Sequence, residues 1–354
     1  MRRTAYLGLS LALMMFVLVI APAPAIFGQA PAMKSKAEYD AYNAAYTEKG
    51  PAKKAELAET FLNTFKDSDV SFRTNAYIMM VKGYADAQNF PKSMDAASKV
   101  TEVVPNMAPD KQAQIYSMGM DSAAKSDNIP KVIEFGDKVL ALVPEDANTL
   151  ITLSSLIPER LPTDESGKKA ALDKAEQYAT KAQAVVAKIF GGAKPASVSD
   201  ADWTNQKNGI ESTLHANLGF IALNRQNYDK SVEEYEKVVK INPKDGIAQF
   251  RLGLSYSGQA TAVGKTYLTA VDEANNAIKS NADAAQVADL KAKADALGVD
   301  AGKKRDQAIE TLATAVALGG VVAQPARDQL VKLYQLKNGS TDGLDQLINS
   351  KKPQ

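Results

Sequence analysis

The feature that most constrains the fold is an apolar pattern that occurs twice, with its two beginnings 34 residues apart. The stretch NLGFIALNRQNYDKSVEEYEKVVKINPKD covers residues 217–245, and RLGLSY at 251–256 repeats its beginning. Within the first copy, apolar residues recur at the three- and four-residue spacing of one helix face on both sides of NRQN. The pattern therefore predicts two amphipathic helices that face each other across a short turn.

Small residues and one proline support this prediction. Gly219 and Ser231 are small where two paired helices must approach each other closely. Pro243 lacks a backbone donor and is expected to end the second helix, and Asp245 is suited to cap the helix that follows. Neither copy can bury its apolar stripe alone, so the helix pairs are expected to stack on their neighbours.

Weaker copies of the pattern occupy other parts of the chain. Two upstream segments resemble the helix pair and end at Pro105 and Pro144, in the manner of Pro243. Residues 35–67 predict an opening helix pair, and two closing helices are expected near the carboxyl end. The repeat pattern therefore covers most of the chain.

The clearest repeats are residues 212–245 and 246–257, and the second of them continues at 303–320 after an insertion. Two insertions are predicted, at 188–211 and at 258–302. The second is rich in alanine and poor in bulky apolar residues, which favours a protruding helical hairpin.

The first thirty residues have the composition of a secretory signal peptide. Arg2 and Arg3 precede an uncharged apolar run, and APAPAIFGQAPA then offers small residues for cleavage. We therefore expect residues 1–30 to be removed and residues 31–354 to form the folded protein. An uncleaved anchor in the inner membrane is the alternative, because residues 4–21 carry no charge and approach the length of a membrane span.

Composition excludes several classes of function. The chain has 42 basic and 41 acidic residues, so no overall positive charge favours nucleic acid as a partner. It has no cysteine and one histidine, His215, which excludes thiolate zinc sites, multi-histidine metal sites and Cys–His nucleophiles. Because His215 occupies a large apolar position of the repeat, we expect it to pack in the core. Carboxylate pairs such as Glu233–Glu234 are expected to be solvated. We predict no catalytic residue, no metal and no cofactor.

The sequence GQATAVGKT at 258–266 partly matches a phosphate-binding loop. Five residues separate Gly258 from Gly264, whereas the motif has four, and no predicted strand precedes them. We expect the segment to be a loop that follows a repeat helix and binds no nucleotide.

The repeat resembles that of the tetratricopeptide repeat superfamily. Leu218 and Gly219 match its large–small pair, Ser231 its second small position, Tyr235 its aromatic position and Pro243 its closing proline. The chain is similar in particular to exported bacterial proteins that contain such repeats. The resemblance implies an all-α fold, namely an α-solenoid of stacked antiparallel helix pairs with helical and loop insertions.

The resemblance also implies a binding surface, because the first helices of such pairs line a concave groove that commonly binds peptides or partner proteins. The residues predicted to face this groove are Asn217, Phe220, Asn224, Phe250, Arg251 and Leu254. The alternative is that some of them pack against the neighbouring repeat. Trp203, the only tryptophan, is a possible anchor for a partner, or else it packs the insertion onto the repeats.

These observations predict an exported, non-enzymatic adaptor or scaffold that binds another protein of the cell envelope through its groove. It would act in the periplasm or outside the cell, with no stable membrane insertion once the leader is removed. The alternative function is a periplasmic carrier of peptide or glycan fragments.

Overall fold

A computed structural model describes residues 33–352, so the predicted leader lies outside the described residues. Within this range the chain forms fifteen α-helices, one short 3-10 helix and no strand, and neighbouring helices pack in adjacent pairs. The all-α repeat fold predicted from the sequence is therefore confirmed. The described residues form two compact units, 33–185 and 186–352.

The first unit contains the opening helix pairs. Most of its helices pack on their neighbours in the chain: α2 contacts α1 and α3, and α4 contacts both α3 and α6. Its helices are α1 (Lys36–Thr47), α2 (Pro51–Thr64), α3 (Val70–Asp86), α4 (Phe90–Ser98), α5 (Val100–Val103), α6 (Pro109–Lys125), α7 (Ile129–Leu142), α8 (Ala147–Leu156), the 3-10 helix (Ile157–Arg160) and α9 (Glu165–Gly191), within which the unit ends.

The second unit contains the clearest repeat. Packing again follows chain order, from α10 on α11 through to α13 on α14. The helices are α10 (Asp200–Asn224), α11 (Tyr228–Ile241), α12 (Gly246–Lys279), α13 (Ala284–Leu318), α14 (Ala323–Asn338) and α15 (Leu344–Ser350).

Several helix ends agree with the sequence prediction. Helix α11 ends at Ile241, two residues before Pro243, and Asp245 caps α12 by accepting hydrogen bonds from the backbone N–H groups of Ile247 and Ala248 at 3.0 Å. The same two-residue distance separates the ends of α5 and α7 from Pro105 and Pro144.

The turn inside a helix pair has the same backbone geometry in three places, after α3, α6 and α10. A residue with positive φ precedes an asparagine whose side chain caps the next helix by accepting a backbone N–H hydrogen bond at 3.3 Å. The residues with positive φ are Gln88, Asp127 and Gln226, and the capping residues are Asn89, Asn128 and Asn227. A residue with positive φ followed by a capping asparagine therefore begins the second helix in three of the pairs.

The prediction of a loop at 258–266 is wrong, because α12 continues through Gly258 and Gly264 to Lys279. At Gly258 the ring of Tyr228 lies against the helix backbone, and a Cβ there would lie 2.3 Å from that ring. The segment 258–302 forms the carboxyl-terminal part of α12, the turn that follows it and the amino-terminal part of α13. The two helices pack against each other, and between residues 260 and 302 the buried side chains are those of Ala270, Ala274, Ala277 and Ala294.

Candidate functional site

The pair α10–α11 is held at close range by a glycine and a tyrosine. A Cβ at Gly219 would lie 2.9 Å from Cε2 of Tyr235, whose side chain is fully buried. The aromatic ring of α11 therefore rests directly on the backbone of α10. Only glycine allows this approach without a shift of the ring.

A buried chain of hydroxyl groups then connects this pair to α12. The Ser231 hydroxyl donates to the carbonyl oxygen of Gly219 at 2.9 Å and lies 2.7 Å from the hydroxyl of Ser255. Both serines are fully buried. Ser231 on α11 therefore contacts both α10 and α12, and these contacts fix the positions of α10 and α12 relative to each other.

His215 on α10 contacts the carboxylate of Glu234 on α11, which was predicted from the sequence to be solvated. Its Nδ1 lies 2.6 Å from Oε2 of Glu234, which is 2% exposed. Lys230 and Lys237 lie 2.6 and 3.3 Å from the other carboxylate oxygen. The expectation of a solvated Glu234 is wrong, because one histidine and two lysines compensate for its burial.

The charge state of Glu234 follows from these contacts. Burial favours the neutral acid and would raise the pKa of Glu234, but hydrogen bonds from His215 and Lys230 outweigh it and hold the pKa at about 2. An ionised carboxylate only accepts hydrogen bonds, so Nδ1 of His215 is the donor. His215 thus acts as a link between helices.

Two of the six predicted groove residues contact each other across α10 and α12. The guanidinium carbon of Arg251, on α12, lies 3.8 Å from the ring centroid of Phe220, on α10. This distance is typical of a cation–π stack. Asn224 instead donates from its side-chain amide to the carbonyl oxygen of Phe220, within its own helix, at 2.9 Å.

The other predicted groove residues lie on the same two helices and are partly exposed. Phe250 packs against the apolar cluster that α13, α14 and α15 form, and Phe220 packs against the cluster around Tyr235. Asn217 and Arg251 also interact with other described residues. The two aromatic side chains therefore combine packing with partial exposure.

Trp203 lies in the first turn of α10 and is partly exposed. Its ring is 4.5 Å from the ring of Phe190, at the end of α9. Both residues lie within the predicted insertion 188–211, so this contact joins two parts of the insertion.

The first unit contains the same helix-pair design. The Ser93 hydroxyl donates to the carbonyl oxygen of Val81 at 3.2 Å and accepts from Ser122 at 2.9 Å, and both serines are fully buried. Residues 81 and 93 correspond to 219 and 231 with one offset, since 219 − 81 and 231 − 93 both equal 138. Tyr77, at the position of His215, donates to the carbonyl oxygen of Ala96, at the position of Glu234.

Two depressions lie elsewhere on the described surface and contain none of the six predicted groove residues. One, of about 650 Å³, lies beside Tyr256 and α13, and the other, of about 530 Å³, lies between α1 and Phe72. Across residues 33–352, no cluster of three or more histidine, aspartate and glutamate side chains has an arrangement that would hold a metal ion.

None of the helices between residues 33 and 352 combines the length and the apolar character that a bilayer crossing requires.

Comparison with known protein families finds a repeat match in the second unit. The family model described as tetratricopeptide repeat matches residues 212–245, which comprise α11, the second half of α10 and the turn after α11. None of the curated proteins matches the chain.

Proposed function

We propose that this chain, a member of the tetratricopeptide repeat superfamily by its repeat at 212–245, is a non-enzymatic scaffold that binds a protein segment along α10 and α12. Repeats of this class typically form scaffolds for protein–protein interactions. The observation that carries the proposal is the stack of Arg251 on Phe220, which joins the two helices at a partly exposed surface.

The chemistry of this surface suits a protein segment. Arginine and aromatic side chains are enriched among the residues that contribute most to binding at protein interfaces. Stacking on Phe220 limits the conformations of Arg251, so less entropy is lost when a partner binds. Phe250, one residue before Arg251, adds apolar area, and the side-chain oxygen of Asn224 adds an acceptor for a partner backbone N–H.

We further propose that the protein is exported and acts in the periplasm or outside the cell, bound to another envelope protein. This part of the proposal rests on the amino-terminal sequence, with its arginine pair, apolar run and small-residue cleavage region.

Affinity isolation with the mature chain as bait tests the proposed surface. The double variant Phe220→Ser with Arg251→Ser should lose the partner that the unchanged chain retains. Lys240→Ser, on the exposed side of α11, should retain it. Equal recovery by all three baits would contradict the proposal.

A thermal-shift screen separates the scaffold from a carrier of peptide or glycan fragments. A carrier should gain melting temperature with small fragments, because binding to the folded state alone stabilises it. A scaffold should respond only to the isolated partner protein.

A further inference from the structure

Over residues 260–302, α12 and α13 form a hairpin whose two helices pack through an apolar seam. The seam on α12 consists of small side chains at spacings of four and three residues, namely Ala270, Ala274 and Ala277, and all three are buried. Such spacing is typical of a helix in a coiled coil. On α13, Ala294 is buried in the same contact. Helix α13 therefore covers this first seam of α12.

A second seam runs beside the first on α12 and is left open. Its members follow the same spacing of four and three residues and are Gly264, Leu268, Val271, Asn275 and Ile278. Leu268 is 61% exposed and Ile278 is 45% exposed, and a Cβ at Gly264 would meet no atom within 4 Å. Packing within the described residues therefore does not account for the apolar character of the second seam. A helix with apolar seams on two sides has room for two partner helices, and α13 is one of them.

The second seam lies on one particular face of the hairpin. The opposite face is polar, and there Nζ of Lys293 lies 3.3 Å from the carboxylate of Glu273. On the face of the seam, the ring of Tyr267 lies against α13 at Gly298, where a Cβ would come within 3.1 Å of the ring. Gly264 lies one turn before Tyr267, so the seam is on the side of the hairpin that this contact marks.

Two charges of opposite sign share this face with the seam. Asp295 and Lys291 lie one and two turns before Gly298 on α13. Both are exposed, and neither makes a hydrogen bond or ion pair with another described residue. They lie two residues after and two residues before Lys293, which pairs with Glu273 across the hairpin. The two charges are therefore symmetric about the level of that ion pair.

The second seam is symmetric about the same level. Leu268 lies five residues before Glu273, and Ile278 lies five residues after it. Val271 and Asn275 lie two residues before it and two residues after it. A two-fold axis at this level, perpendicular to the helices, brings Leu268 of each copy beside Ile278 of the other. In such an isologous contact each pair occurs twice.

We propose that the second seam of α12 is covered by the same seam of a second copy of this chain, so that two hairpins form an antiparallel four-helix bundle. Leu268 of each copy packs on Ile278 of the other, and Lys291 of each copy pairs with Asp295 of the other. The shared midpoint and the charge complementarity carry the proposal. Asn275, the polar residue in the seam, favours one register of the pair.

The size of the face suits a dimer. About 20 residues of each helix contribute, which gives a length of about 30 Å, and two helices side by side give a width of about 20 Å. The contact would therefore cover about 600 Å² on each copy and about 1,200 Å² in total, at the lower limit for a specific and stable interface. Reversible association at micromolar protein concentrations is the expected behaviour.

Sedimentation velocity of the full mature chain over a series of concentrations tests the dimer. The unchanged chain should pass from monomer to dimer, and Leu268→Lys should raise the dissociation constant by about 30-fold or more. Leu336→Lys makes the same change at a leucine of α14 that is 72% exposed and should leave the dissociation constant unchanged. Both leucines are exposed in the single chain, so neither variant should change the helix content by circular dichroism. A monomer at every concentration, or equal weakening by the two variants, would overturn the proposal.

Disulfide crosslinking tests the orientation, because the chain contains no cysteine of its own. The variants Leu268→Cys and Ile278→Cys are mixed and oxidised. Antiparallel pairing predicts a disulfide between positions 268 and 278, since two copies of position 268 would lie about 15 Å apart along the helices, beyond disulfide reach. Preferential disulfides between identical positions would overturn the proposal. Neither position belongs to the α10–α12 surface, so these outcomes leave the proposed function untouched.

Discussion

At the residue scale, Glu234 shows how neighbouring side chains change the role of a charged residue. The adjacent Glu233 has the same side chain, yet it stays about half exposed and pairs with Lys230 and Lys237 in solvent. Glu234 faces α10, where His215 lies within hydrogen-bond distance. Because the two residues point in different directions from α11, Glu234 links two helices, whereas Glu233 pairs only with side chains of its own helix.

Replacing Glu234 with glutamine should destabilise the fold at neutral pH by about 2 kcal/mol, because the buried hydrogen bonds lose their ionic character. Glu233→Gln makes the same chemical change in solvent and should cost at most about 0.5 kcal/mol. Denaturant unfolding at pH 7 measures both values. Equal effects of the two substitutions would contradict the buried role of Glu234.

The acid dependence of stability should also depend on Glu234. Its pKa in the folded chain is about 2, below the ordinary 4.5, so the ionised form stabilises the fold. This contribution is complete above about pH 5 and disappears as the pH falls towards 2. Between these values the Glu234→Gln variant should therefore lose less stability than the unchanged chain. Parallel pH profiles of unfolding free energy would contradict the assignment.

The buried serines make a second prediction at this scale. Ser231→Ala removes a hydrogen bond to Gly219 and a partner of Ser255, and should cost about 1–2 kcal/mol. Ser93→Ala should cost a similar amount, because it removes the corresponding bonds of the first unit. Ser257→Ala, on α12 but without such bonds, is the control. A cost for only one of the two buried serines would argue against a shared design.

At the scale of elements, the approach of α10 to α11 depends on a residue without a side chain. Gly219→Ala would place a Cβ 2.9 Å from the buried ring of Tyr235 and should destabilise the protein by about 1–3 kcal/mol. Gly209→Ala, two to three turns earlier in the same helix, meets nothing within 4 Å. It should stabilise by about 0.5–1 kcal/mol through helix propensity. Thermal unfolding compares the two, and a stabilising Gly219→Ala would contradict the close contact.

The sequence predicted the helices correctly where several local signals indicate the same boundaries. Its predictions were wrong where contacts between distant residues determine the structure. The pair α10–α11 was predictable because its apolar spacing, its turn and Pro243 all indicate the same boundaries. The continuation of α12 was not, because Gly258 is a helix breaker by local propensity, and its close contact with Tyr228, which leaves no room for a Cβ, exists only in the folded chain. The burial of Glu234 was equally hidden, since its partner His215 lies 19 residues away in another helix.

For the candidate site, the sequence indicated which helices matter but not how the side chains combine. Repeat alignment selected Phe220 and Arg251 separately, and their stacking follows from the relative position of α10 and α12. In the first unit the repeats retain the capping asparagines and the buried serines but few of the other signature residues, so the sequence indicated no binding residues there.

At the scale of the whole molecule, the proposed export is tested on the protein from its native cells. Amino-terminal sequencing should find a chain that begins after Ala25, Ala30 or Ala32, in a fraction released without detergent. A chain that retains residues 1–25 and requires detergent for release would support the membrane-anchored alternative.

The most direct test of the central claim, that α10 and α12 bind a protein partner, is photo-crosslinking in the native cell. A benzophenone amino acid replaces Phe220 in one variant and Lys240, on the exposed side of α11, in another. The proposal predicts a discrete protein adduct from position 220, lost when Arg251→Ser is added, and none from position 240. No adduct at 220, or the same adduct from both positions, would contradict it.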